Sequence, residues 1–161
     1  MQQNKGQRGF SLIELLIVVA IIGIIAAIAI PNLLASKRSA NEGSAIGSVR
    51  SLNTAEATYF STAGENLKYG TLTKLKEASL IDSVLAAKSK SGYGFDVKNI
   101  VDASSTTAAK YEVTAIPASV NPVTGTGTRS FYSDESAVIY GKTGATAPVR
   151  TDDGSDGTPI Q

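Results

Sequence analysis

Glu14 is the side chain in this sequence that most invites a chemical role, because its carboxylate interrupts an apolar run. The 21 residues from Phe10 to Ile30 contain only two polar side chains, Ser11 and Glu14. A charged group at the centre of a bilayer costs about 2.5–3.5 kcal/mol on insertion scales, so a plain membrane anchor would gain from an apolar residue here. The chain therefore either tolerates the cost of the Glu14 charge or uses the carboxylate, and a buried carboxylate is tolerable where a cation lies close to it.

Composition restricts the chemistry open to the rest of the chain. None of the 161 residues is histidine or cysteine, which removes the usual general base, the thiol nucleophile and the commonest transition-metal ligands. Only carboxylate, lysine and tyrosine chemistry is left, so we predict that the protein is not an enzyme and has no cofactor. The 15 basic and 14 acidic residues nearly balance, and no basic block indicates a nucleic-acid partner. The sequence YGKT at 140–143 ends like a phosphate-binding loop, but Ser136 stands where that loop requires glycine.

An acidic stretch near the C-terminus, TDDGSDG, resembles a calcium loop. Asp152, Asp153 and Asp156 would supply hard oxygen ligands, which makes them weak metal candidates. An EF-hand requires Asp or Asn where Gly154 lies, and a later Glu that this sequence lacks. A solvated acidic turn with no metal is the favoured interpretation.

The apolar run itself is long enough to cross a membrane as a helix. At 1.5 Å rise per residue, a helix of this length spans about 30 Å, the thickness of a bilayer core. Basic residues precede the run and none follows it until Lys37, which puts the N-terminus in the cytoplasm. A secretory signal has an apolar region of only about 7–15 residues that ends at a small-residue cleavage site, and no such site closes this run at Pro31. Cleavage before the run, between Gly9 and Phe10, is therefore favoured.

The stretch RGFSLIELLIVVAIIGIIAAIAIP, residues 8–31, resembles the prepilin signature of type IV pilins and of the pseudopilins of type II secretion. The resemblance implies that a leader of residues 1–9 is removed after Gly9 by a membrane prepilin peptidase, which also N-methylates Phe10. It further implies that Glu14 pairs with the amine of Phe10 on a neighbouring subunit. Such a pair would set the axial register, as one buried polar residue does in a coiled coil. The alternative is an unpaired Glu14 that snorkels to the lipid headgroups.

The same resemblance implies that residues 10–31 form the packed core of a helical homopolymer. The side chains expected to pack there are Leu15, Leu16, Val19, Ile22, Ile25 and Ile28. Gly23 and Pro31 bracket a weak part of this helix, because glycine costs about 1 kcal/mol relative to alanine and an internal proline about 3 kcal/mol. The family implies that the helix between them loses its structure in the filament; a simple kink at Pro31 is the alternative.

Residues 32–63 are predicted to continue as an amphipathic helix. Apolar residues recur with helical spacing at Ala45, Val49, Leu52, Ala55 and Tyr59, which predicts one face covered by a sheet. Gly43 and Gly47 have the spacing of a close-packing G-x-x-x-G motif, although softening of a curved helix explains them better. The helix is expected to end near 63–64, with Gly64 as its left-handed cap.

Residues 64–161, which we call the head, are predicted to form a small antiparallel sheet. Residues 69–92 suit a short helix or a loop packed on the head. The segments YGFDVKNIV, KYEVTAIPAS and RSFYSDESAVIYGK have strand character, and the joints between them are rich in Ser, Thr, Gly, Asn and Pro. The tail from residue 143 has almost no large apolar side chains and is predicted to be mobile or laid on the surface. The predicted fold is α+β, a long helix against three or four antiparallel strands, as in pilins.

The function that follows is that of a structural subunit of a type IV pilus, polymerised through its N-terminal helix. Its expected partners are other copies of the chain, the prepilin peptidase and N-methyltransferase, the inner-membrane assembly machinery and, before assembly, the lipid bilayer. It would lie in the inner membrane first and in an extracellular pilus afterwards. A type II secretion pseudopilin is the nearest alternative, and a binding module or enzyme held by an uncleaved signal anchor is an alternative of another class. The lack of cysteine departs from many type IV pilins, which close their C-terminal region with a disulfide.

Overall fold

A computed structural model describes residues 9–121, 123–151 and 154–160, and one long helix, α1, dominates it. α1 runs from Leu12 to Ser61, 50 residues, and continues through Pro31. Ser11 stands at the N-cap in extended conformation, where a short polar side chain is favoured because it can bind the free N–H groups of the first turn.

The second half of α1 packs on the head through the predicted apolar face. All five residues of that face are buried, each with at most 5% of its surface exposed: Ala45, Val49, Leu52, Ala55 and Tyr59. Burying one such large apolar side chain contributes about 1.5–3 kcal/mol. The predicted face is therefore confirmed, and it is the side of α1 that holds the head.

A buried polar network fixes the orientation of α1 on the sheet. Asn53 Nδ2 donates to Ser133 Oγ at 2.8 Å, and the Tyr111 hydroxyl donates to Asn53 Oδ1 at 3.3 Å. Because a buried polar group that loses its partner costs about 1–3 kcal/mol, these bonds favour one orientation of the helix on the sheet.

The C-terminal end of α1 differs from the prediction. The helix ends at Ser61, and the left-handed residues that follow are Glu65 and Asn66, with φ of 55° and 58°. Gly64 does not have a positive φ, so its prediction as the left-handed cap is wrong. Glycine is required at this position for space instead, because a Cβ on Gly64 would lie 2.1 Å from the Lys68 carbonyl oxygen.

Two short helices follow in the segment predicted as a helix or a loop. α2 spans Leu72–Glu77 and α3 spans Ser83–Ala86. The side chains of Thr71 and Asp82 cap them by accepting from backbone N–H groups three residues later. Leu72, Leu75 and Leu85 are buried in the same core as α1.

In the described part of the head, eight strands follow the helices. They are β1 Ser89–Lys90, β2 Tyr93–Val101, β3 Lys110–Pro117, β4 Arg129–Asp134, β5 Ile139–Thr143, β6 Arg150–Thr151, β7 Gly154–Ser155 and β8 Thr158–Ile160. Six form one antiparallel sheet in the order β1-β2-β3-β4-β5-β8, and β6 pairs with β7. In β2 and β3 the alternating positions 95, 97, 111, 113 and 115 are buried, as predicted. The α+β fold, a long helix on an antiparallel sheet, is thus confirmed, and the four longer strands are the ones that the sequence predicts.

The tail from residue 143 packs against the sheet of the head. β8 pairs with β5 at the edge of the sheet, with Ile160 opposite Ile139. Ala147 and Pro148 are buried, and the Ser130 hydroxyl donates to the Gly144 carbonyl at 2.5 Å. β4 is therefore covered on both faces, by α1 on one side and by the tail on the other. The tail is thus laid on the sheet, which is the second of the two predicted arrangements.

Candidate functional site: the exposed half of the long helix

The chain enters α1 through an exposed glycine and an exposed aromatic residue. A Cβ added to Gly9 would meet nothing within 4 Å, and Phe10 is 84% exposed. The leader, apart from Gly9, lies outside the described residues. The Gly9–Phe10 bond, predicted to be the cleavage site, therefore lies clear of the folded head.

The Glu14 carboxylate binds the beginning of its own helix. Its Oε2 accepts a hydrogen bond from the Ser11 backbone N–H at 2.9 Å. A carboxylate in the first turn also interacts favourably with the positive end of the helix dipole. Sequence reasoning missed this contact, although Ser-x-x-Glu before an apolar run is the signature of a capping box. Within one chain, Glu14 thus already has a hydrogen-bond donor.

Among the residues that the structure describes, none packs over the apolar half of α1 closely enough to bury it. Its mean hydropathy reaches 3.1 over 18 residues, none of which is buried, so length and composition would let it cross a membrane. The six side chains predicted to pack in a filament are each 58–66% exposed: Leu15, Leu16, Val19, Ile22, Ile25 and Ile28. Contiguous apolar surface of this extent marks a contact with lipid or with another protein.

Gly23 and Pro31 lie within the continuous helix. A Cβ on Gly23 would meet nothing within 4 Å, so no contact within the described ranges requires this glycine. The predicted loss of helix between the two residues concerns an assembled filament and stays a prediction.

Glu42 marks the point on α1 where the head begins. It is the first buried residue of the helix, 8% exposed, and no described residue before it is buried. Its Oε1 accepts from the Thr128 N–H at 2.7 Å and from the Thr128 hydroxyl at 2.6 Å, while Oε2 pairs with Arg129 Nε at 2.9 Å. Sequence reasoning missed Glu42, yet its position three residues before Ala45 puts it on the apolar face.

The pKa of Glu42 is lowered by these partners. Burial alone raises it, but the hydrogen bonds from Thr128 and Arg129 together with the Arg129 charge outweigh the burial. Asn41 adds a contact beside it, since its Nδ2 donates to the Thr126 carbonyl at 2.9 Å. We call these contacts of Asn41 and Glu42 with 126–129 the α1–β4 clasp.

The acidic stretch near the C-terminus has ion-pair partners. The Asp156 carboxylate pairs with Lys142 and accepts from the Val149 N–H at 2.8 Å. Asp152 and Asp153 lie outside the described residues. Nearby, Arg150 Nη2 lies 3.1 Å from Asp134 Oδ2 and 2.5 Å from Glu135 Oε1. Asp156 therefore helps to fasten the tail to the sheet.

Comparison with known proteins gives one family model, which falls on the N-terminal part of the chain, and several relatives. The family model "Prokaryotic N-terminal methylation motif" matches residues 4–30. The type IV major pilin protein PilA of Myxococcus xanthus is 50% identical over 58 residues, which are 36% of this chain and 26% of that protein. The type II secretion system core protein G of Escherichia coli is 33% identical over 97 residues, 58% of this chain and 65% of that protein. The type IV wide pilus major component PilA4 of Thermus thermophilus is 60% identical over 38 residues, 24% of this chain and 29% of that protein.

The alignments thus span less than a third of either pilin and 65% of core protein G. No solved structure matches the chain. The predicted resemblance is confirmed: this chain carries the prokaryotic N-terminal methylation motif and is a homologue of type IV pilins and of type II secretion core protein G.

Proposed function

We propose that this protein is a structural subunit of a type IV pilus, processed after Gly9 and polymerised through α1. Two observations together carry the proposal. The methylation motif matches residues 4–30, and the first half of α1 is apolar, exposed and long enough to cross a membrane. The homology to pilins, not to enzymes, supports a structural role.

Before assembly, the apolar half of α1 would lie in the inner membrane with the head outside the cytoplasm. Moving this helix from lipid into a bundle of its copies brings little hydrophobic gain, because lipid is as apolar as the bundle. Tight packing and polar pairing must therefore guide the helix into the growing filament. Once the filament is in water, burial of the same side chains makes their release costly.

Glu14 would supply the polar pairing. After cleavage, Phe10 has a free amine, which is a cation that the apolar zone of a neighbouring subunit can offer. A carboxylate has several acceptor positions, so Glu14 can keep the Ser11 N–H and also accept this amine. Only one axial stagger brings the two groups together, which is how the pair would set the register.

A type II secretion pseudopilin is the second candidate. The observation in its favour is coverage, since core protein G of Escherichia coli aligns over 97 residues and both pilins over 58 or fewer. The N-terminal helix does not separate the candidates, because processing and helix packing are common to both.

The deciding experiment is to shear whole cells, pellet any filaments and determine the intact mass and N-terminus of the main subunit. A pilin is expected to begin at methylated Phe10 and to form the bulk of long surface fibres. The same N-terminus without fibres, in a protein that stays with the envelope, would replace the proposal with the pseudopilin. Retention of residues 1–9 would contradict both.

The cleavage position is tested by replacing Gly9 with a bulky residue. Gly9→Leu is expected to block processing, because a small residue precedes the proposed bond and its replacement alters no contact in the described chain. Gly43→Leu, at a helix position that is also open to solvent, is a control that should be processed normally. Normal processing of Gly9→Leu would place the cut elsewhere.

A further inference from the structure

Glu56, on the buried face of α1, has no role in the proposed assembly and an unusual environment. Its side chain is fully buried. Oε2 accepts from the Gly70 backbone N–H at 2.8 Å, whereas Oε1 has no hydrogen-bond partner. In the described part of the chain no lysine or arginine forms an ion pair with it. A buried carboxylate without a cation is expensive when ionised.

The connection from α1 to α2 contacts Glu56 on one side through Gly70, and Tyr111 of β3 lies near it as well. Gly70 in this connection lies so close to α1 that a Cβ on it would be 3.3 Å from the Tyr59 ring. The preceding residue, Tyr69, stacks on Phe60 with ring centres 4.8 Å apart and contacts Tyr111 at 4.5 Å. The Glu56–Gly70 bond is therefore the polar contact that fastens the end of this connection, where the chain enters α2.

The ionisable groups around Glu56 do not favour its charge. From the connection and from β3 come the phenols of Tyr69 and Tyr111, whose pKa values are raised by burial and by the charge of Glu56. Asp134 and Glu135, at the end of β4, add negative charge near Tyr111, and Arg150 pairs with both. The charged residues of α2, at 74, 76 and 77, are exposed. Burial raises the pKa of Glu56 to about 7, and the Gly70 N–H offsets this only in part.

We infer that Glu56 is a proton-controlled latch: its neutral carboxyl holds residues 69–71 against α1, and its ionisation releases them. The neutral acid satisfies Gly70 and requires no cation. The carboxylate would leave a charged oxygen, Oε1, without a partner, and movement of residues 69–71 away from α1 would let water reach it.

The direction of the pH effect follows from the raised pKa. When the latch opens, water reaches the carboxyl and its pKa returns to the usual value of 4.5. The closed form thus binds the proton more tightly, and the closed state is fully favoured below about pH 4.5. Opening becomes more frequent as the pH rises from about 4.5 to about 7 and levels off above that. The full change in the opening equilibrium is on the order of 100-fold.

Amide hydrogen exchange of the full chain in detergent micelles tests the latch. The measured quantity is the protection factor of the Gly70 amide between pH 4.5 and 8, so the intrinsic pH dependence of exchange cancels. In the wild type we expect this factor to fall on the order of 100-fold over that range. In Glu56→Gln, which keeps an oxygen acceptor and cannot ionise, it should stay constant.

Glu65→Gln is the matched control, since Glu65 lies in the same connection and is exposed. It should behave like the wild type. A Gly70 protection factor that is independent of pH in the wild type, or that falls equally in Glu56→Gln, would overturn the latch. So would an equal fall at amides of β3 and β4, which indicates general unfolding.

A measurement on the wild type alone keeps the test valid if Glu56→Gln fails to fold. The ¹³C shift of the Glu56 carboxyl, recorded by NMR against pH, should titrate well above the other glutamates. Titration near 4.5 would refute the proposal.

Discussion

Glu14, Glu42 and Glu56 all lie on α1, and their carboxylates have three different environments. Glu14 is exposed and binds the Ser11 N–H, Glu42 is paired with Arg129, and Glu56 is buried without a cation. Burial disfavours the charged form of a carboxylate, whereas a cation or an N–H donor favours it. One residue type therefore has three assigned roles, which are assembly in our proposed function, attachment of the head in the structure and response to pH in our inference.

Replacing Glu14 by alanine tests its role in assembly. Glu14→Ala should leave cleavage at Gly9–Phe10 intact, because the peptide bond lies five residues earlier. It should greatly reduce filament yield, because the Phe10 amine would enter the filament core without a counter-charge. The measurement is the amount of sheared filament together with the subunit N-terminus. Glu65→Ala is the control for loss of an exposed carboxylate, and abundant mutant filaments of normal length would contradict the register role.

Replacing Glu42 by glutamine tests the α1–β4 clasp. Hydrogen bonds to a charged group contribute about 1.5–3 kcal/mol, so Glu42→Gln should lower the free energy of unfolding at pH 7 by about 1–3 kcal/mol. Because the pKa of Glu42 is lowered in the folded chain, its charge stabilises the fold above the usual pKa of 4.5, and this contribution is lost as the pH falls through the lowered value. The difference between wild type and variant should therefore shrink in acid.

Urea unfolding in detergent micelles, followed by circular dichroism at several pH values, measures this difference. Glu77→Gln removes an exposed carboxylate from α2 and should change the unfolding free energy by less than about 0.5 kcal/mol. A constant difference between wild type and Glu42→Gln from pH 7 down to pH 3 would show that the charge of Glu42 is not what stabilises the clasp.

At the scale of elements, α1 combines a well-packed half with a half that contains two helix-weakening residues. In the isolated chain the helix continues through Gly23 and Pro31. We predict that residues 23–31 lose their helical hydrogen bonds in the filament, where neighbouring helices pack and the bilayer no longer enforces backbone pairing. Backbone ¹³C shifts of assembled filaments, compared with those of the chain in micelles, measure this. Helical shifts throughout 23–31 in the filament would favour a simple kink.

The elements that the sequence predicts are those with a long periodic pattern. Apolar spacing identifies α1 and its buried face, and alternation identifies β2 and β3, because many residues contribute to each signal. β6, β7 and β8 have only two or three residues each, which is too few to show an alternating pattern. The pairing of the tail with the sheet could therefore not be predicted from the sequence. The prediction for Gly64 was wrong because a glycine after a helix usually forms a left-handed cap. Here glycine is required because the Lys68 carbonyl oxygen leaves no space for a side chain.

The candidate site was predicted only in part. Phe10, Glu14 and the exposed apolar residues follow from the sequence, because an unbroken apolar run with one charge is conspicuous. Glu42 and Glu56 were missed because polar residues on a mixed helix are usually solvated. Their spacing relative to Ala45 and Tyr59 nevertheless puts them on the buried face, and a carboxylate on such a face requires a partner.

At the scale of the whole molecule, the described residues of α1 that are buried against the head begin only at Glu42. A 50-residue helix is about 75 Å long, and its buried residues begin only at Glu42. The α1–β4 clasp, the core and the sheet all lie beyond that point. We therefore expect that the exposed half can move from lipid to filament, as proposed above, without disturbing the head.

A chain that begins at Asn32 should consequently fold without detergent. It keeps every buried residue of α1 and omits the apolar run. We expect a monomer in gel filtration, with a mixed helix and sheet circular dichroism spectrum and one cooperative thermal transition. The full-length chain, as the control, should require detergent under the same conditions. Aggregation or loss of sheet structure in the shortened chain would mean that residues 9–31 support the head.

Ion pairs act together with strand pairing and side-chain burial in holding the tail of this protein to the sheet, and no disulfide takes part. Arg150 with Asp134 and Glu135, and Lys142 with Asp156, hold it beside the short strand β8. Because no residue of the chain can be oxidised to a disulfide, the head requires no oxidising compartment or disulfide isomerase to mature, and reductants leave it intact. Ion pairs at exposed side chains weaken as salt is added, so we expect salt to loosen the Lys142–Asp156 contact while the β5–β8 pairing and the burial of Ala147 and Pro148 remain. The head is therefore expected to fold equally well with and without oxygen.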